Sequence, residues 1–183
     1  HLVNGVTGVK YKDREAKGIK TNSSVLALDL DASGLNVDLT SASLTYADAE
    51  KVFIAALKKV QGDNFVTMPL TFYVSSSIWF NLLSTKTNSS EYTTLVDALR
   101  KIPGVADIKF TTDTTVLSGN EFFAIAMSQE YIMPVVGQAV GVNPLVRQNY
   151  SDYFQWTAWG AVGLLIKTDY ASRSGVLWAR AIA

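Results

Sequence analysis

The sequence predicts an α+β fold that combines a mixed sheet with a few helices and includes a long C-terminal strand. Residues 45–60 carry apolar side chains at helical spacing, and residues 122–127 are apolar on both faces, as in a buried strand. Residues 153–167 alternate with period two over a length well beyond the usual strand of about five or six residues. Strands and helices do not alternate regularly, so the pattern favours α+β over a succession of βαβ units.

Residues 1–24 are rich in turn-forming residues, and two alternating segments follow them. Residues 25–30 read Val-Leu-Ala-Leu-Asp-Leu, and residues 35–39 alternate again. The turn residues Asp-Ala-Ser-Gly at 31–34 separate the two segments. We therefore expect two strands that pair as a hairpin.

A capped amphipathic helix is predicted from Thr45 to Val60. Asp48 follows Thr45 at the spacing of a capping box, and Glu50 complements the positive end of the helix dipole. The apolar side chains that share one face are Ala49, Val52, Phe53, Ala56, Leu57 and Val60. Gly62 begins the turn that ends this helix.

The middle of the chain is predicted to add a strand, a short helix and a longer helix. Residues 69–74 form the strand, and three serines then cap a helix that extends to Leu83. A polar loop at residues 87–90 precedes a helix over residues 91–101. The Ile-Pro-Gly sequence at 102–104 ends that helix.

Further short strands complete the predicted sheet. Their composition and length place them at residues 108–111, 122–127, 131–136 and 176–182. Pro134 has no backbone N–H, which predicts an edge position or a bulge for the strand that contains it. Residues 137–149 contain glycine and asparagine, and we predict a loop there.

The segment 153–167 carries the most extended apolar face of the chain. The side chains on that face are Phe154, Trp156, Ala158, Gly160, Val162, Leu164 and Ile166. The opposite face is partly polar because it includes Tyr153, Gln155, Thr157 and Lys167. Our candidate packing and assembly residues are Trp79, Phe154, Trp156, Val162, Leu164 and Ile166.

The composition is poor in residues that perform chemistry. The chain has no cysteine and one histidine, His1, and 16 basic residues balance 16 acidic ones. A chain without cysteine has no disulfide and no thiolate metal site, and a Ser-His-Asp unit lacks its base unless His1 serves. Zero net charge argues against a basic nucleic-acid surface. The longest apolar run, residues 158–166, is too short to span a bilayer. We expect no cofactor, no bound metal and no membrane partner.

One acidic turn resembles the start of a calcium-binding EF-hand loop, with oxygen-bearing side chains at Asp29, Asp31 and Ser33. Such a loop needs a bidentate glutamate at its twelfth position, where this chain has Thr40. A hydrogen-bonded turn explains the pattern better. Phosphate-binding GxxxxGK[ST] and GxGxxG motifs are absent. Carboxylate pairs or a serine–lysine pair leave an enzyme as one alternative.

The order of these elements points to a protein family. The helix at 45–60 leads into the strand Pro-Leu-Thr-Phe-Tyr-Val and the short helix after it. Later come Ile-Pro-Gly at 102–104, the strand 107–110, the buried strand 122–127 and the long segment 153–167. This order resembles the C-terminal part of the major capsid proteins of tailed bacteriophages, whose Hong Kong 97-like fold is shared with encapsulin shells.

The resemblance implies a division of the chain into two portions. Residues 45–150 would form the axial domain, and residues 1–44 and 151–183 would belong to the peripheral domain. Members of the family usually begin with an N-terminal arm, an extended loop and a long spine helix. None of these precedes His1, so we expect a processed form or a fragment of a longer subunit.

The function that the resemblance implies is that of a structural shell protein, the major capsid subunit of a tailed phage or prophage. Such a subunit is not an enzyme, and it self-associates into capsomers and closed shells. It would meet other virion proteins and contact packaged DNA weakly and non-specifically. Its location would be the virion capsid, assembled in the bacterial cytoplasm. Loops 87–90 or 137–144 would meet around a five- or sixfold axis.

Two alternatives of other kinds stay open beside this interpretation. One is an encapsulin-type compartment shell. The other is a non-enzymatic β-rich binding or adhesion module, in which Trp79, Trp159 and Trp178 would form a ligand face.

Overall fold

The computed structural model describes residues 3–11, 14–32, 34–84, 86–88, 91–145, 149 and 153–181. The strands are β1 (Val6–Tyr11), β2 (Arg14–Ala16), β3 (Leu26–Asp29), β4 (Leu70–Ser75), β5 (Lys86–Asn88), β6 (Glu91–Thr94), β7 (Val105–Thr111), β8 (Phe122–Ala126), β9 (Ile132–Pro144), β10 (Trp156–Ile166) and β11 (Val176–Arg180). The helices are α1 (Tyr46–Leu57), α2 (Ser76–Ser84) and α3 (Leu95–Arg100), with a 3-10 turn at Ile19–Thr21 and a π-helical turn at Lys58–Gly62.

Five strands form a mixed central sheet in the order β3-β11-β8-β4-β7. The inner pairs β11–β8 and β8–β4 are antiparallel, whereas the outer pairs β3–β11 and β4–β7 are parallel. Every residue of the central strand β8 is buried. The predictions of an α+β class and of a buried strand at this place are confirmed.

The three helices contribute to the core on one face of this sheet. The α1 side chains that are buried are Ala49, Val52, Phe53, Ala56 and Leu57, as their spacing predicted. Phe53 stacks on Phe72 of β4 with ring centroids 4.5 Å apart, and its ring lies 6.0 Å from that of Phe122 in β8. Each such fully buried side chain contributes about 1.5–3 kcal/mol to folding. The aromatic contacts therefore fix α1 over the middle of the sheet.

The predicted cap of the first helix is confirmed. The Thr45 hydroxyl accepts a hydrogen bond from the Asp48 backbone N–H at 3.2 Å and donates one to the Asp48 carboxylate at 2.6 Å. The predicted serine cap of α2 is present too, since the Ser75 hydroxyl accepts from the Ile78 N–H at 3.3 Å. These contacts satisfy backbone donors that the first turn of a helix leaves unpaired.

The predicted start of the third helix, at residue 91, is wrong. Thr94 caps α3 by accepting a hydrogen bond from the Asp97 backbone N–H at 3.3 Å, so the helix begins at Leu95. The four preceding residues form β6, which pairs antiparallel with β5. The Thr-x-x-Asp spacing that marks the true start repeats that of α1, and the prediction overlooked it. The loop predicted at 87–90 is wrong for residues 87 and 88, which belong to β5, and residues 89 and 90 lie outside the described residues.

The hairpin predicted for residues 25–39 is also wrong. Strand β3 pairs in parallel with β11, which is distant in sequence, and residues 35–39 form no strand. The side chain of Asn120 holds this segment: its Oδ1 accepts from the Leu39 N–H at 3.1 Å, and its Nδ2 donates to the Val37 carbonyl at 3.0 Å. A side-chain amide thus replaces the backbone partner that a strand would have supplied.

The opposite face of the central sheet carries a second, smaller cluster. Its buried members are Ile19, Leu117, Phe123, Ile125, Ile166 and Val176. Tyr73, Phe123 and Trp178 lie side by side across β4, β8 and β11 and form the middle of this face. Ile166 belongs to β10, so this cluster joins the central sheet to the remaining pair of long strands.

Candidate assembly surface

β9 and β10 form a two-stranded antiparallel ribbon outside the central sheet. Trp156 lies opposite Pro144 at one end of the ribbon, and Ile166 lies opposite Ile132 at the root. The long strand predicted in residues 153–167 is therefore confirmed. The loop predicted from residue 137 onwards is wrong as far as Pro144, because Gln138 and residues 141–144 pair with β10.

Two bulges in β9 decide which side chains face the same way. β9 has 13 residues and β10 has 11, and the register shifts twice between Trp159 and Val162. Each bulge adds one residue to β9, so one bulge alone would exchange the even-numbered and odd-numbered residues of β9 between the two sides of the ribbon. Two bulges restore the original side, so Val142 and Val136 point the same way.

One side of the ribbon is apolar along its whole length. This apolar face consists of Ile132, Pro134, Val136, Val142 and Pro144 from β9, opposite Ile166, Leu164, Val162, Ala158 and Trp156 from β10. Ile166 is only 7% exposed because it packs in the second cluster. Farther out the exposed fraction rises to 52% for Val162, 61% for Val136 and 63% for Trp156. The apolar face thus extends the second cluster out into solvent.

The ribbon is also uncharged. Neither β9 nor β10 contains an aspartate, glutamate, lysine or arginine. An isolated two-stranded hairpin is at best marginally stable in water, and a contiguous exposed apolar patch typically marks an interaction site.

No helix in the described part of the chain is long and apolar enough to cross a membrane.

The candidate residues do not all lie on this surface. Trp156, Val162, Leu164 and Ile166 share the apolar face, and Phe154 lies two residues before β10 with 72% of its surface exposed. Trp79 lies elsewhere, in α2. The role of the six residues in assembly stays a prediction. The prediction omitted further exposed side chains of the ribbon, namely Val135, Val136, Val140, Val142, Trp159 and Leu165. The alternation of valines in β9 was the signal that could have revealed several of them.

The three tryptophans proposed as a ligand face lie on different parts of the fold. Trp79 packs against the core on the helix-covered side of the sheet, whereas Trp178 packs against the second cluster on the other side. Trp159 projects from the less apolar side of the ribbon. The fold does not bring these indoles together on one surface.

A cleft of about 250 Å³ opens at the root of the ribbon, where Glu130, Lys167, Asp169 and Arg173 line part of its wall. The Asp169 carboxylate accepts backbone hydrogen bonds from Ala171 and Arg173 at 2.9 and 2.8 Å. The Lys167 ammonium donates to the Gln129 carbonyl at 2.8 Å. The Asp169 contacts order the turn that leads into β11, and the Lys167 contact ties the end of β10 to the residues before β9.

The acidic turn after β3 contains a local hydrogen bond, in line with the hydrogen-bonded turn that the sequence favoured over a calcium-binding loop. The Asp29 carboxylate accepts a hydrogen bond from the Asp31 backbone N–H at 3.0 Å. Ser33, the third residue of that pattern, lies outside the described residues. Within the described ranges, no group of three or more histidine, cysteine, aspartate or glutamate side chains could hold a metal ion.

Solved structures with a similar fold include viral shells. The chain superposes on a virus-like particle from Pyrococcus furiosus with a TM-score of 0.63 and 18% identity, covering 88% of this chain and 58% of that one. The capsid of Myoviridae phage XM1 gives 0.65 and 16%, covering 97% and 58%. A structure from Mycobacterium phage Che8 gives 0.55 and 20%, covering 86% and 53%. The chain therefore spans little more than half the length of each.

These similarities define the class of the protein by its fold. The chain has the fold of phage capsid and virus-like-particle proteins, and the resemblance inferred from its sequence is confirmed. It belongs to the family of unknown function DUF6260, which it matches over residues 1–179. No curated protein matches it in sequence.

The division into an axial domain at 45–150 and a peripheral domain at 1–44 and 151–183 stays a prediction. The boundary after residue 150 lies between β9 and β10, which pair with each other. Strands β3 and β11, from the two peripheral ranges, lie in the same sheet as β4, β7 and β8.

Proposed function

We propose that this chain is a structural shell protein, the major capsid subunit of a tailed phage or prophage. The observation that carries the proposal is the exposed apolar ribbon on a fold similar to those of a phage capsid and a virus-like particle. A contiguous apolar surface of this kind typically marks an interaction site. A subunit of a shell covers it on assembly.

The energetics of the ribbon fit association through many repeated contacts. Covering the part of Trp156, Val162 and Val136 that is still exposed stabilises an assembly by about 25 cal/mol for each Å² of apolar surface removed from water. A closed symmetric shell repeats every contact in each subunit. The zero net charge of the chain does little to oppose self-association.

The proposal includes a non-catalytic role in a virion capsid that assembles in the bacterial cytoplasm. Neighbouring copies of the chain and other virion proteins are its partners, and packaged DNA is contacted weakly because net positive charge is lacking. In this proposal residues 45–150 supply most of the axial portion, β3 and β11 complete its sheet, and the ribbon extends toward the periphery.

An encapsulin-type compartment shell is the second candidate. The similarity to the virus-like particle from Pyrococcus furiosus favours it. Both candidates predict closed shells, but they differ in content. A capsid packages nucleic acid, which would be measured by the ratio of ultraviolet absorbance at two wavelengths on purified particles.

Size-exclusion chromatography followed by negative-stain imaging tests the proposal. We expect rings or closed shells whose fraction rises with protein concentration. A protein that stays strictly monomeric at the highest attainable concentration contradicts the proposed function.

A further inference from the structure

We propose that β10 pairs edge to edge with β10 of a second copy, antiparallel and across a twofold axis, to form a four-stranded sheet. This inference rests on the proposed function and names a contact that the function leaves open. The second copy is the occupant because an antiparallel strand is complementary to itself when its outward positions are all equivalent.

The backbone hydrogen bonds at the two ends of the ribbon show which groups of β10 face outward. The Leu145 N–H donates to the Gln155 carbonyl at 2.9 Å, and the Lys167 N–H donates to the Tyr131 carbonyl at 2.8 Å. Inward and outward positions alternate along an antiparallel strand. The even-numbered residues from Trp156 to Ile166 therefore direct their N–H and C=O groups away from β9.

β10 has an open outer edge. It contains no proline, no charged residue and no bulge of its own. Among the described strands, β9 alone pairs with it. A long, apolar and unprotected edge is a template for pairing with another chain.

The outer edge of β9 is closed by comparison. Pro134 and Pro144 lie at outward positions of β9, opposite Leu164 and Trp156, and a proline has no N–H to donate. The two bulges interrupt the regular repeat between these prolines. The ribbon can therefore extend by strand pairing on its β10 side only.

Each outer strand of the central sheet has one carbonyl occupied by a basic side chain. The Lys59 ammonium donates to the Ala27 carbonyl of β3, and the Arg100 guanidinium donates to the Ile108 carbonyl of β7 at 3.0 Å. In contrast to these two strands, β10 contains no charged residue, and its outer edge is bare.

Pairing of the two β10 strands also aligns their apolar faces. Outward groups of one strand bond to outward groups of the other, so an even-numbered residue pairs with an even-numbered residue. Paired residues project to the same side of a sheet, and the even-numbered side chains of β10 form its apolar face. The two apolar faces therefore join into one continuous surface, twice as wide.

Matched proline substitutions test the contact. Val162→Pro removes an outward N–H from β10 without removing a bond to β9, and Val142→Pro does the same on the closed edge of β9. Both valines lie on the apolar face and are similarly exposed, at 52% and 59%. We expect sedimentation velocity to show that Val162→Pro raises the dissociation constant of self-association at least about tenfold, with little change for Val142→Pro. Equal effects of the two substitutions would overturn the inference.

Amide hydrogen exchange of the unmodified protein supplies a second measurement. It does not require any variant to fold. The amides of Val162 and Leu164 should exchange at least about tenfold more slowly in assembled particles than in dissociated protein. Particles that leave these amides unprotected refute the β10 contact alone and leave the shell function standing. A protein that never self-associates refutes both.

Discussion

The indole of Trp79 in α2 stacks on the ring of Phe110 in β7, with ring centroids 5.1 Å apart and 15° between the planes. The guanidinium of Arg100 in α3 lies 5.9 Å from the same indole. Trp79 therefore joins three elements within one subunit. Trp156, a residue of the same type, projects from the ribbon with 63% of its surface exposed. The two tryptophans allow folding and assembly to be perturbed separately.

Replacement of Trp79 should destabilise the subunit itself. Trp79→Ala is expected to lower the free energy of unfolding by about 3 kcal/mol, because the partly buried indole leaves a gap between α2 and β7. Urea denaturation followed by circular dichroism measures this. Phe80→Ala is the control, since Phe80 is 60% exposed and should lose much less. Equal midpoints for Trp79→Ala and the unmodified protein would show that the stack is unimportant for folding.

Replacement of Trp156 should weaken assembly and leave the fold intact. Trp156→Ser removes the largest exposed side chain of the apolar face, so we expect an assembly constant at least about tenfold lower. The unfolding midpoint should be unchanged. Trp159→Ser is the matched control, because Trp159 lies on the same strand but on the other side of the ribbon. Light scattering across a concentration series compares the two, and a stronger effect of Trp159→Ser would assign assembly to the other side.

The Asn120 side chain should be essential to the segment after β3. Asn120→Ala removes both the acceptor for the Leu39 N–H and the donor to the Val37 carbonyl. Since each part-buried bond contributes about 1 kcal/mol, the free energy of unfolding should fall by about 2 kcal/mol. Chemical denaturation provides the measurement, with Asn143→Ala on the exposed ribbon as control. A loss no larger than that of the control would mean that the segment holds its place by apolar packing alone.

The pKa of Asp113 should depend on Thr115. The Thr115 hydroxyl and backbone N–H donate to the Asp113 carboxylate at 2.6 and 2.9 Å, which holds the pKa of that carboxyl below its ordinary value of 3.8. A depressed carboxyl pKa stabilises the fold above the unfolded value, and the effect is lost as pH falls through the folded pKa. Thr115→Val should raise the pKa of Asp113, as measured by NMR titration. Thr114→Val should leave it unchanged, and an unaltered pKa in Thr115→Val would assign the shift to the backbone contacts.

Elements with a strong local signal were predictable from the sequence. The α1 helix has both its Thr45 cap and a regular apolar face, and β8 is apolar at every position because both of its faces are buried. The start of α3 was missed although its cap at Thr94 has the same Thr-x-x-Asp pattern. Only one of the two strands of the candidate surface was predicted. Period-two alternation identified β10, whereas the glycines at 137 and 141 led to the prediction of a loop in place of most of β9.

The sequence by itself determined which segments are helical or extended and which side of β10 is apolar, because those properties depend on neighbours within a few residues. Only the tertiary structure decided which strands pair. Leu26 lies opposite Leu177, and that pairing depends on the whole chain folding around the core. The exposure of the ribbon was likewise undetermined by its pattern, since an apolar face packs equally well inside a subunit or between subunits. Among the described strands β9 alone pairs with β10, so the outer edge of β10 stays unpaired and most of the ribbon stays exposed.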